Sequence, residues 1–387
     1  MQQQNPNQTQ TQTQSRNQNR TVLINGGGIA GPVLAYWLHR HGLRPTVVER
    51  ADGPRPGGQA VDIRGVALDV VERMGLLEAA RKGRTRMRGM SVLDAEGREI
   101  DRSTEFTYSS GRLDSDDIEL LREDLVRMVY EHTRGVVEYR FGDGVATLDE
   151  DADGVHVGFT HGPPRTFDLV VGADGLHSAV RRLAFGPEPA YAHHLGSCLS
   201  VFSAGNFLGL DRRQVWLRDG DAGFGIMPVR DDTELRVAFG FGTGPDEYDF
   251  RDGEALRAAV VDRLAALKWE GARLAEAART APDFYCDAMA QIRMDHWTRG
   301  RVALLGDAGY CPSPLSGQGT SLALVGAYVL ADSLAREPYD HRAAHRRYEQ
   351  RMRPFVALNQ ALATENEGGP AAEESVTRAK NAIRLDG

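Results

Sequence analysis

Apolar positions along the chain fall into three rhythms. Short unbroken runs stand at TVLI (21–24), PTVVE (45–49), FDLVVG (167–172) and RVALLG (301–306). They read as buried strands, being too short for helices and rich in β-branched residues. Helical spacing marks IAGPVLAYWLHRHG (29–42), which closes on Gly42 as a plausible C-cap, and IELLREDLVRMVYEH (118–132) and TSLALVGAYVLADSL (320–334). The third rhythm lies between about residues 190 and 285, in SCLSVFSAGNFLG, QVWLRDG, AGFGIMPVR and LRVAFGFGTG. These runs have mixed or alternating polarity and end on Gly or Asp, which predicts an antiparallel or mixed sheet. MSVLDAEGREIDR (90–102) is expected to add a hairpin to it, and residues 251–279 read as one or two helices. HRAAHRRYEQRMRPFVALNQALA (341–363) reads as a basic helix interrupted near Pro354, and the last twenty residues read as partly loose.

Composition narrows the class. With 387 residues, 41% of them hydrophobic, the chain can build one large or two ordinary domains. No apolar run nears the ~18 residues of a membrane span, and a formal charge of −8 gives no basic face for nucleic acid. Cys198, Cys286 and Cys311 are widely spaced, which predicts a reducing compartment and no structural zinc. His193 and His194 are adjacent on a predicted strand, so they face opposite ways and make a poor metal pair. No metal site is expected. The polar opening, residues 1–20, lacks the apolar segment of a signal peptide and is expected to be a disordered tail, giving a cytoplasmic protein.

The first strand, helix and second strand enclose Gly26, Gly28 and Gly31 in GxGxxG spacing. Those glycines allow a tight turn, close approach of a pyrophosphate and close helix–strand packing, and the helix start offers free N–H groups to an anion. Glu49, about twenty residues on, stands where an acid bonds the adenosine ribose, with Arg50 beside it. This predicts a dinucleotide site without choosing between FAD and NAD(P).

Two later stretches choose. DGxxSxxR (Asp174, Gly175, Ser178, Arg181) follows the third buried run, and GD followed by PxxGxG (Gly306, Asp307, Pro314, Gly317, Gly319) follows the fourth. With the first glycines, these ordered motifs resemble the single-component FAD-dependent aromatic monooxygenases, relatives of para-hydroxybenzoate hydroxylase. The LLREDL run and the chain length resemble its tetracycline-inactivating and polyketide-tailoring branch. The resemblance departs at Tyr310, where many relatives carry His, and at Ser321, where many carry Asn.

That resemblance implies an α/β fold: a Rossmann-type FAD-binding domain with an inserted mixed β-sheet substrate domain and a C-terminal helix. The FAD-binding parts are expected at 21–85, 116–189 and 286–335, and the substrate domain at 86–115 and 190–285. A bracing helix is expected at 336–366 and a loose tail at 367–387. It further implies that Asp307 bonds the flavin ribityl chain, that Asp174 faces FAD, and that the loop through Pro314, Gly317 and Gly319 leads a helix start to the pyrimidine edge. Arg122 would meet the flavin or its pyrophosphate and Asp62 the flavin ring, while Arg55 and Arg64 could touch FAD or NADPH. Arg181 would serve helix packing or NADPH. Phe224, Met227, Pro228, Phe239 and Phe241 are candidates for either pocket or core.

The implied reaction is insertion of one oxygen atom from O2 into an aromatic or polycyclic small molecule through a flavin C4a-hydroperoxide. FAD is the cofactor and NADPH, or NADH, the reductant; no catalytic side chain is assigned, because the cofactor carries the chemistry. A monomer is expected. A flavin-dependent reductase of the same fold, a halogenase and a non-catalytic flavoprotein are the rival readings.

Overall fold

The computed structural model describes residues 20–245, 247–366 and 369–386. The expected disordered tail therefore lies outside the described residues except for Arg20. Strand β1 (Thr21–Asn25) leads through a glycine turn to helix α1 (Ala30–Arg40) and strand β2 (Arg44–Glu49). Short strand β3 (Ala60–Ile63) and the hairpin β4 (Met90–Leu93) and β5 (Glu99–Ser103) follow. After β6 (Ile118–Leu121) come α2 (Arg122–Thr133), β7 (Glu138–Phe141), β8 (Leu169–Gly172) and α3 (Ala179–Ala184). Four long strands then run in succession: β9 (Ala192–Gly205), β10 (Gln214–Asp219), β11 (Ala222–Val229) and β12 (Glu234–Gly242). Helices α4 (Gly253–Ala265) and α5 (Gly271–Thr280) precede β13 (Tyr285–Ile292) and β14 (Val302–Leu304). Three helices complete the chain: α6 (Gly319–Arg336), α7 (His341–Ala361) and α8 (Glu373–Lys380).

The first sheet has the order β14-β8-β1-β2-β7, all parallel, with Thr298–Arg299 as an antiparallel edge. Its central strands are covered on both sides, so Val22, Leu23, Ile24, Val47, Val48, Val170 and Val171 are buried. Helix α1 is buried from Ala30 to Leu38 and packs against α6. Strand order reverses at β1, between β8 and β2, so a crevice opens at the carboxyl end of that strand. A Cβ at Gly31 would collide with the Gly26 carbonyl, and Gly26 itself sits at φ +119°. No other residue type permits that turn and that approach together.

The second sheet runs β13-β9-β12-β11-β10-β4-β5. It is mixed, because β4 joins β10 in parallel while the other pairings are antiparallel. One face carries Phe224, Phe239 and Phe241 into a core with Leu256, Val260 and Leu264 of α4 and Leu274 of α5. The stretch 251–279 is thus two helices. Met227 instead joins a small cluster with Leu121 and Val229.

Three boundaries differ from the sequence reading. Residues 286–292, expected in the FAD-binding part, are a strand of the second sheet paired with β9. Helix α7 passes through Pro354 unbroken, with that residue on its exposed side, where water can serve the carbonyl that a proline leaves unpaired. The tail expected to be loose is docked: α8 forms, Ala379, Ile383 and Leu385 are buried, and Lys380 lies 2.7 Å from Asp117. Few apolar residues sufficed because each meets an existing surface, and Asn359 Nδ2 donates to the Ala379 carbonyl at 3.1 Å. Among the described residues no helix is long and apolar enough to cross a membrane.

Candidate functional site

One cavity of about 1790 Å³ joins the two sheets. Of the twelve residues expected to hold the cofactor, eleven line it: Gly26, Gly28, Glu49, Arg50, Asp62, Arg122, Asp174, Asp307, Pro314, Gly317 and Gly319. The twelfth, Gly31, lies behind the wall, where it lets α1 approach β1. The gathering follows from the topology. The loops after β1, β2, β8 and β14 leave the same edge of a parallel sheet, so residues nearly 300 positions apart arrive together.

The nucleotide end is built on backbone. Glu49 is buried and accepts Gly27 N–H at 2.7 Å and Ala51 N–H at 3.0 Å, which fixes its carboxylate at the cavity wall. A Cβ at Gly28 would meet nothing nearer than an Arg122 guanidinium nitrogen at 3.6 Å, so this turn is open to a ligand. Arg122 starts α2, and among the described residues its guanidinium makes no ion pair. Burial pulls its pKa down, Arg55 adds to that, and Tyr285, Asp307 and Glu49 oppose it from a distance. An enclosed guanidinium without a carboxylate beside a helix start without acids suits a bound phosphate.

Asp174 lines the cavity as the resemblance implied, and its carboxylate is also engaged by the protein. Its carboxylate accepts Asn25 Nδ2 at 2.8 Å, Ala179 N–H at 2.7 Å and Ser178 Oγ at 2.5 Å, so both oxygens brace the turn into α3. Of the two readings of Arg181, packing prevails. It is fully buried and donates to the carbonyls of Ala308 and Leu176 at 2.9 and 2.6 Å and to Glu188 at 2.7 Å. It does not line the cavity.

At the far end, Asp307 opens onto the cavity yet is ringed by protein, and this desolvation raises its carboxyl pKa. Its Oδ1 lies 3.8 Å from where a Gly319 Cβ would stand, beside the start of α6. Asp62 and Arg64 form a buried pair at 2.9 Å. Burial pushes Asp62 up to about 7 against the pull of Arg64, and the like charges of Glu119 and Asp117 add to the rise. Arg64 is raised, Asp62 outweighing its own desolvation cost together with the other acids.

The two departures from the family pattern have structural answers. Tyr310 is buried, its hydroxyl 2.9 Å from that of Tyr348, and packs on Trp297 away from the cavity. Ser321 Oγ accepts Arg64 N–H at 3.0 Å and donates to the Asp62 carbonyl at 3.5 Å, pinning β3 to α6.

The sequence reading passed over the substrate-side wall. Trp216 lies across Gly225, where a Cβ would stand 2.7 Å from its ring. Trp216 Nε1 donates to Gln214 Oε1 at 2.9 Å, and Gln214 Nε2 donates to Ser109 Oγ at 2.6 Å. Tyr108 meets the indole edge-on at 5.4 Å. Gly223, Ala238 and Gly240 leave the sheet bare beside them. The alternating glycines of AGFG and FGFG were the available signal, since in a strand they share one face. His177, inside the DGxxSxxR stretch, bridges Glu188 at 2.8 Å and Asp287 at 3.1 Å, and those acids raise it to about 10. It ties the loop after β8 to β13 of the other sheet.

FAD fits this site on three counts: an open glycine turn, an unpaired guanidinium and a cavity too large for one ordinary small ligand, which needs roughly 300–1,000 Å³. The comparisons agree. Residues 19–362 match the family described as FAD binding domain. An uncharacterised protein of Mycobacterium tuberculosis is 48% identical over 368 residues, 95% of this chain and 99% of its own. A flavin-dependent monooxygenase from an unknown prokaryotic organism is 38% identical over 343 residues, 89% of this chain and 88% of its own. The crystal structure of tetracycline destructase Tet(55) superposes with a TM-score of 0.84 at 35% identity, covering 95% of this chain and 98% of that one.

Proposed function

The chain belongs to the FAD-binding family of flavin-dependent monooxygenases, and we propose that within it this enzyme hydroxylates a flat aromatic or polycyclic molecule at the expense of NADPH or NADH. The balance is one substrate C–H, O2, NAD(P)H and a proton giving C–OH, water and NAD(P)+. FAD, when bound, supplies the redox chemistry that divides O2 between product and water.

The protein's own residues bind, orient and exclude water. The start of α1 and Arg122 would hold the pyrophosphate, Glu49 the adenosine ribose, Asp307 the ribityl chain, and the start of α6 the pyrimidine edge. Asp174 braces the loop beside them. The observation that carries the substrate class is the wall opposite. Bare sheet at Gly223 and Gly240, flanked by Tyr108 and by Trp216, whose indole covers Gly225, offers a flat surface to a ring system. Trp216 is held by two hydrogen bonds in series, so that surface is preformed. The resemblance to the tetracycline-inactivating branch gave the same expectation from sequence, and Tet(55) is a tetracycline destructase. A tetracycline-like polycycle is therefore the first substrate to try.

The purified protein should show a flavin absorption band that bleaches with NADPH under nitrogen and recovers in air. With a fused-ring phenol or enol, NADPH oxidation should accelerate, require O2 and yield a product heavier by one oxygen atom. Reductant consumption that proceeds without O2 would instead make the chain a reductase, and no turnover with any reductant would make it a ligand-binding flavoprotein.

A further inference from the structure

Gln214 opens strand β10 and is buried, yet it does not line the cavity. Trp216, two residues on, stands on the same face of the strand and does line it. Trp216 Nε1 donates to Gln214 Oε1 at 2.9 Å, and Gln214 Nε2 donates to Ser109 Oγ at 2.6 Å. An indole N–H can only donate, so the carbonyl end of the amide must face Trp216 and the NH2 end Ser109. Ser109 is fixed in turn from the cofactor wall. Its carbonyl accepts Arg64 Nη2 at 2.8 Å, and the same nitrogen donates to Asp62 at 2.9 Å.

This bond selects one of the two ways the indole can lie. Trp216 pairs with Gly225 across the strands, and its six-membered ring covers the place a Gly225 Cβ would take, 2.7–2.9 Å away. Turning the ring over would carry Nε1 off Gln214 and leave a buried amide oxygen unpaired. Such care is not general here, since the buried Trp37 Nε1 has no hydrogen-bond partner. We propose that Gln214 is the positioning residue of the substrate wall. Through Trp216 it sets the surface on which the substrate ring rests, and through Ser109 it ties that surface to Arg64 on the cofactor wall. This rests on the reading that the substrate lies against Trp216, and it adds what keeps substrate and cofactor in register. A loosened indole lets the ring rest at varied distances from the flavin, and reductant is then wasted. In that case NAD(P)H, O2 and a proton give NAD(P)+ and hydrogen peroxide, and no C–OH forms.

The test is a cycle between two side chains. Gln214→Met keeps the length and removes both polar atoms. With tetracycline as the probe it should raise KM about fivefold, the ratio that one net hydrogen bond carries. The share of NADPH recovered as peroxide should rise with it, while FAD affinity stays within about twofold. In a Trp216→Phe background, which has no N–H to hold, the same substitution should change neither KM nor the peroxide share. A second readout needs no turnover. In flavin-free protein the emission lost on Trp216→Phe gives the Trp216 contribution, and acrylamide should quench that contribution more strongly in Gln214→Met.

Unchanged quenching of Trp216 in Gln214→Met would overturn the proposal. So would a rise in KM of equal size in wild type and in Trp216→Phe, the mark of a general packing role. If Gln214→Met does not fold, Ser109→Ala removes the acceptor of Nε2 at a half-buried loop residue. Trp216 should be quenched more strongly there too, and unchanged quenching overturns the proposal as well. Tetracycline left unconsumed, or a wild-type KM in Trp216→Phe, would instead remove the substrate reading. The quenching then still decides whether Gln214 holds the ring.

Discussion

Asp62 shows how much a single position can carry that no motif announces. It was picked out in the sequence because its neighbourhood resembled an acid near a flavin, and what governs its charge is burial. Burial outweighs the pull of Arg64, Glu119 and Asp117 add like charge nearby, and Asp62 is held at about 7. The sign follows. A carboxyl raised from its unfolded value near 4 stabilises the fold fully below that pH, and the contribution is lost as pH rises through about 7. Flavin-free wild type should therefore lose stability between pH 5 and 7 relative to Asp62→Asn, by up to about 1 kcal/mol per pH unit. Urea unfolding at several pH values measures this. The lost Arg64 contact adds a constant offset, so the slope of the difference is what matters; parallel curves would show that Asp62 ionises normally.

At the scale of elements, the sequence was most legible where physics leaves fewest choices. The parallel strands around β1 are covered on both faces, and so their apolar runs stand out without help from pairing. The glycines at 26 and 31 are forced by backbone collisions that any Cβ would create. Legibility failed where an element depends on a distant partner. Strand β13 belongs to the second sheet because β9 is there to pair with it, and α8 forms because α7 and Asp117 receive it. Arg181 is a further case: as a motif residue it read equally well as packing or cofactor contact. In the structure it joins the start of α3 to the loop carrying Asp307 through the Ala308 carbonyl. Arg181→Met keeps the volume but strands the buried Ala308 carbonyl, the half-buried Leu176 carbonyl and part of Glu188. It should cost about 3 kcal/mol of unfolding free energy and leave the FAD affinity of the folded fraction within about twofold, since the guanidinium does not line the cavity. Denaturant unfolding and a flavin titration on the same preparation separate the two effects. Lost affinity without lost stability would return Arg181 to the cofactor site.

Across the whole molecule the cavity divides labour between its walls. The parallel sheet supplies backbone turns that follow from motif glycines and hence from sequence, and Arg122, at the start of α2, adds a guanidinium beside them. The second sheet supplies its contribution by omission, and bare glycines in a strand say little until the register shows which face they share. In the assembled register, Gly225 lies under Trp216 and Gly223 lies opposite Gly240. Two walls with separate tasks should be separable by mutation. A side chain at Gly225 would enter the space of the Trp216 indole, 2.7 Å from a Cβ, and drive it into the cavity or out of its bond to Gln214. Gly225→Val should then raise KM for a fused-ring substrate by about tenfold or more, as expected for the loss of one aromatic contact and the shape around it. FAD affinity should stay unchanged, because the cofactor wall has no part in this register. The paired measurement is what decides. Losing both affinities together would mean that the walls move as one body, and retaining both would mean that the substrate lies elsewhere in the cavity than between Trp216 and the bare sheet.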